Sequence, residues 1–277
     1  MTLSARNVVF RAEIIISALF CILTGVLALK ALPLCPAAAA DAVRRSPGIV
    51  QGLVGRFLGP SPYVPFASLA GTTLCSFITL VFIYFFFEKT QAPEIFFITL
   101  FVLSLSFETM RLMTPLQKTW IIPSVYLLMA GRALLFGRFF GIISLFAAGV
   151  YAAGLEIQTQ LNGTLIAAFI ALVVSLGIPI DILAWDSSFS MVNGYFSLFR
   201  MVETGVLLIT MASFFISAWS RGTPEYVSVG VGAFLMFAGR GILLSADTWI
   251  SPIPGFLFLV AGIWLICTKL HKVYLWL

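Results

Sequence analysis

Charge is what this sequence has least of. Only 10% of its 277 residues are Asp, Glu, Lys or Arg, where a water-soluble domain carries roughly a quarter. That deficit excludes a chain whose whole surface faces water. Histidine is nearly absent: His271 stands alone beside Lys269 and Lys272 near the C-terminus and reads as part of a basic juxtamembrane end. Ser-His-Asp and Cys-His nucleophiles therefore lack their base, and neither H-E-x-x-H nor a phosphate-cradling glycine loop occurs. No catalytic residue is assigned, and the chain is not expected to be an enzyme. The four cysteines, Cys21, Cys35, Cys75 and Cys267, are scattered without a C-x-x-C or Cys/His cluster. That pattern gives no metal site and no disulfide framework, and fits small apolar packing residues. No cofactor is implied. The net charge of +5 is spread over the ends of apolar runs. A nucleic-acid partner would need a clustered basic face, whereas scattered span-end cations set topology and attract anionic headgroups.

Apolar residues make up 61% of the chain, and several runs reach the roughly 20 residues a helix needs to cross a bilayer core. They are continuous rather than alternating, so they read as helices, which satisfy every backbone polar group internally in lipid. The expected class is an all-α polytopic membrane protein, multi-pass in the plasma (inner) membrane, with the lipid bilayer as its first partner. Residues 1–34 open with Arg6 and Arg11 before an apolar run and read as an anchor or signal-like helix. Ala38-Ala39-Ala40 before Asp41 has the form of a cleavage site. Residues 35–65 form a polar loop in which Gly48 to Leu58 has the spacing of an interfacial helix. Spans follow at about 66–88, 93–113, 120–137, 139–156, 163–184, 195–219, 226–246 and 253–271.

Two stretches resemble each other. Residues 126–137 read YLLMAGRALLFG and residues 234–245 read FLMFAGRGILLS. An Ala-Gly-Arg inside an apolar run is a much rarer coincidence than matched Leu or Phe. Further on, Ala148-Gly149-Val150-Tyr151 aligns with Ala261-Gly262-Ile263-Trp264. This favours a break at Gly137-Arg138 over one long helix across 120–156. The expectation is an N-terminal anchor and two four-helix units, 66–156 and 157–277, about nine transmembrane helices in all. An even number of spans per unit makes the repeat parallel, about an axis along the membrane normal.

Ionisable groups within spans are costly and face the bundle interior, which makes them functional candidates. Here they are Arg132, Arg240, Glu203, Arg200, Glu108, Arg111 and Asp181. Arg240 lies about 9 Å from the end of its span and Glu203 about 12 Å from the start of its own, one layer on adjacent antiparallel helices. Two local pairs compete with that arrangement, Arg200 with Glu203 and Glu108 with Arg111, each three residues apart on one helical face. Gly131 and Gly239, ahead of the arginines, fit close helix packing. The bland reading is that the arginines tie helices together through carbonyls or snorkel outwards. The sharper one is a small-solute carrier whose polar site between the units is lined by Arg132 and Arg240, takes an anionic or zwitterionic solute, and is gated by Glu203. The alternative is a non-transporting sensor, assembly or scaffold subunit acting through a membrane protein partner. An intramembrane enzyme acting on lipid comes last, because no catalytic pair supports it.

Overall fold

The computed structural model describes residues 3–32, 59, 61–87, 92–120, 123–155, 159–186 and 188–275. Eight helical segments among them are long and apolar enough to cross a membrane, which fits a multi-pass integral membrane protein. These are α1 (Leu3–Ala31), α2 (Val64–Phe87), α3 (Pro93–Ser106), α4 (Ser124–Ala152), α5 (Gln160–Gly177), α6 (Phe196–Arg221), α7 (Glu225–Leu244) and α8 (Pro252–Leu275). The span begun by α3 continues through a 3-10 stretch, Phe107–Leu112, into a short α-helix, Met113–Trp120. An antiparallel hairpin, β1 (Ile180–Trp185) with β2 (Met191–Asn193), separates α5 from α6.

The break expected at Gly137-Arg138 does not occur, and eight candidate spans, not nine, stand among the described residues. Gly137 is a contact point inside α4: a Cβ there would meet Phe107 Cβ at 2.4 Å. Arg138 is not a loop cation but is neutralised within the bundle by Glu108. The span expected at 163–184 stops at Gly177. Pro179 disfavours helical backbone at the residue before it, and Ile178 is extended, with φ −75° and ψ 127°. The chain then turns into β1. With eight spans the two Ala-Gly-Arg stretches fall on α4 and α7, an odd number of crossings apart. Those helices run in opposite directions, so the described spans do not show the two same-facing four-helix units expected from nine spans. Both chain ends now lie on one face, with Arg6 bonded to the carbonyl of Phe87 and Phe87 in edge contact with His271. Cys35, the cleavage-site pattern at Ala38–Ala40 and the interfacial helix expected at Gly48–Leu58 lie outside the described residues.

Every residue of α3 is buried, so this helix forms the axis of the bundle, and its all-round apolar sequence suits that place. α4 packs along it, α1 and α2 close another side, and α7 and α8 form a tight antiparallel pair. The N-terminal helix is more than an anchor. Its inward stripe carries Arg6, Glu13, Ser17 and Thr24. Ser17 meets Ser106 at 3.0 Å and Ser76 at 3.4 Å, and Thr24 meets Thr109 at 2.7 Å.

Candidate functional site

The chemistry gathers where the central span tightens. In a 3-10 helix, residues three apart eclipse one another, so the stretch Phe107–Leu112 stacks Glu108 and Arg111 on one side, with Oε2 and Nη1 at 3.6 Å. The pair expected from their spacing is thus present, and it is extended from two other helices. Arg138 of α4 grips Glu108 through two parallel hydrogen bonds, Nε to Oε1 and Nη2 to Oε2, both 2.9 Å. This fork-on-fork geometry is the strong form of a guanidinium–carboxylate contact. Arg240 of α7 approaches Oε1 at 4.0 Å, donates to the Arg138 carbonyl at 3.4 Å and lies over the Phe101 ring.

Three guanidinium groups therefore surround one carboxylate, and the cluster carries two positive charges in excess. Glu108, Arg111 and Arg240 are at most 4% exposed and Arg138 is 15% exposed at its side chain. Backbone carbonyls take up part of the excess: Arg111 donates to Ser188 O and to Leu244 O. The Nε–H groups of Arg111 and Arg240 find no acceptor. Buried charge this imperfectly satisfied is a poor device for stability and a good one for holding an anion.

A cavity of about 270 Å³ opens beside the cluster. Its walls come from α4 (Arg138, Phe139), the hairpin turn (Asp186, Ser188), α6 (Arg200, Glu203) and the end of α7 (Leu244, Ser245). Arg138 joins cluster and cavity, and the Ser188 and Leu244 backbone on the wall anchors Arg111. Asp186 is committed to the turn: Oδ1 accepts from Ser188 N at 3.0 Å, Ser188 Oγ at 2.7 Å and Ser190 N at 2.8 Å. Arg200 and Glu203 are the charged wall groups that α6 contributes.

The candidates named from sequence part company here. Arg240, Glu108, Glu203 and Arg200 are brought to one region. Arg240 turns to Glu108 as its ion-pair partner, while Glu203 stands on the cavity wall. Arg132 goes elsewhere: its Nη1 donates to Ser175 O and Ile178 O, capping the carbonyl end of α5, where a cation is favoured. The glycines before the arginines diverge as well. Gly239 lies against the α8 backbone, 2.7 Å from Gly255 O as measured from a Cβ position, whereas Gly131 lies against Met191 and Ile180 of the hairpin.

Sequence reasoning missed three groups. Arg138 was assigned to a turn because it follows a glycine. Glu94, in the first turn of α3, is fully buried and accepts from Tyr226 at 3.1 Å and Tyr274 at 2.7 Å. Glu13 was overlooked at the edge of an apolar run, although its place on the Arg6–Glu13–Ser17–Thr24 stripe was readable. Among the described residues no group of His, Cys, Asp and Glu is suited to a metal ion.

No family model matches the chain. It is 27% identical over 171 residues to an uncharacterized protein of Treponema pallidum (strain Nichols), a match that covers 55% of this chain and 50% of that one. The chain thus spans about half the length of this relative, and the resemblance carries no function with it.

Proposed function

We propose that this protein is a small-solute carrier that binds an anionic or zwitterionic solute in the cavity between α4, α6, α7 and the hairpin turn. The observation that carries this reading is the excess of buried guanidinium around Glu108, which Arg138 brings to the wall of a cavity also lined by Arg200 and Glu203. Intramembrane charge so arranged marks solute and ion pathways in membrane bundles. Arg138 supplies the inner positive end. Arg200 and Glu203 offer charges of opposite sign on the α6 wall, which suits a solute bearing both an acid and an amine. Arg132, capping α5, is not part of the site. The test is uptake by proteoliposomes of a panel of amino acids, small carboxylates and inorganic phosphate. At least one should be accumulated, and Arg200→Ala, Glu203→Gln and Arg240→Ala should each reduce its uptake. Uptake unchanged across the set would end the reading.

A second reading, a non-transporting sensor, assembly or scaffold subunit, rests on the same cluster seen as a clasp, since Glu108 joins the central span to α4 and α7. Purification in mild detergent separates the two. A stoichiometric protein partner favours the clasp, and a solute-responsive protein without one favours the carrier.

A further inference from the structure

The most exceptional single group in the molecule lies outside this site. Glu13, about a third of the way along α1, is 2% exposed, and neither carboxyl oxygen has a hydrogen-bond partner. It sits on the inward stripe of its helix between Arg6 and Ser17. The other polar side chains of that stripe have partners, Arg6 leaving only its Nε unbonded. Arg6 donates to Phe87 O at 2.8 Å and to Asn7 at 3.1 Å. The Ser17 hydroxyl closes a triad with Ser76 and Ser106, and Thr24 pairs with Thr109. Interhelical glue explains such hydroxyls, but it does not explain a carboxyl group that bonds to nothing.

The charged and titratable groups of the helices around Glu13 are engaged elsewhere. On α1, Arg6 lies seven residues away, about 10 Å along the axis, and Arg11 bonds the Tyr84 hydroxyl of α2 at 3.1 Å. The Cys21 thiol donates to Thr73 O, and Cys75 of α2 is a thiol without charge. On the central span, Glu94 holds Tyr226 and Tyr274, while Glu108 and Arg111 belong to the arginine cluster. The Thr99 hydroxyl bears on Glu13, yet its hydrogen is directed to Phe96 O at 2.7 Å, so it is left as an acceptor. No side chain of the described residues forms an ion pair with this carboxylate. An ionised carboxylate here would have no counter-charge among the described side chains, so the group either carries a proton or holds a bound cation. A metal ion would need several free oxygen ligands, and the neighbouring hydroxyls are spent on one another and on Val102 O. A proton needs one acceptor, and the Thr99 oxygen provides it.

We propose that Glu13 is a reversible proton-binding site in the α1–α3 interface, exchanging with the aqueous phase on the face where α1 begins. It offers a coupling proton to the carrier reading but does not rest on it, and its test is independent of transport. Dicyclohexylcarbodiimide reacts with the acid form of carboxyl groups in apolar surroundings. Purified protein in detergent should acquire the adduct on Glu13, located by peptide mass spectrometry. Incorporation should decline as the medium is made alkaline, be indifferent to sodium at constant pH, and be lost in Glu13→Gln. Absence of the adduct on Glu13 while other carboxyl groups react would overturn the proposal. Protection by sodium would overturn it in favour of a metal-cation site. Because the wild-type protein carries the decisive measurement, a Glu13→Gln variant that fails to fold leaves the test intact.

Discussion

A single carboxylate, Glu108, holds three cations, and the consequences of altering each partner differ. Glu108→Gln would leave Arg111, Arg138 and Arg240 facing one another without a counter-charge. Removing one side of a buried ion pair costs about 3–5 kcal/mol, and thermal unfolding in micelles should show a loss of that order. Arg138→Met should cost less, because Arg111 and Arg240 still flank the carboxylate at 3.6 and 4.0 Å. Equal losses would mean that the cluster is not held by charge. Arg132→Ala should behave as a lost helix cap, costing about 0.5–2 kcal/mol, and should leave solute uptake at the wild-type level. The Glu108–Arg111 pair was legible from a spacing of three because local geometry settles it. The Arg138–Glu108 fork was not, since it joins residues thirty positions apart, and a glycine beside a charge looks like a turn when it is in fact a close contact followed by a buried ion pair.

At the scale of the element, the α7–α8 pair shows what small residues do without water to drive association. Gly232 and Gly239 face Gly262 and Gly255 across the interface, and a Cβ added at Gly239 would stand 2.7 Å from both Gly255 O and Leu259 N. Backbones can meet this closely only where side chains are missing. Gly239→Val should therefore destabilise by about 1–3 kcal/mol through overpacking. Gly241→Val, two residues on with open space around it, should leave the melting temperature nearly unchanged. Most spans could be placed from composition alone, because length and hydropathy are what lipid demands of them. The hairpin escaped notice because Ile180 to Trp185 is as apolar as any span. Only Pro179 signalled that the helix had ended, and one proline in an apolar run can equally mark a kink.

At the scale of the whole molecule, eight crossings bring the ends together, and the basic residues at both ends, Arg11 with Lys269 and Lys272, share one face. On a background without native cysteines, Ser4→Cys and Lys272→Cys should react with an impermeant maleimide from the same side of the membrane. Ser245→Cys should react from the other. The hairpin ties this second face to the interior. Its tip is fastened from three directions: Ser188 O to Arg111, Phe189 O to Thr114 at 3.2 Å, and the Phe189 ring to Phe66 of α2 at 4.9 Å. Like a stopper wired to the vessel it closes, the tip cannot lift from the cavity mouth without stripping Arg111 of an acceptor. Displacing the hairpin tip and unbalancing the charge around Glu108 are thus a single mechanical event.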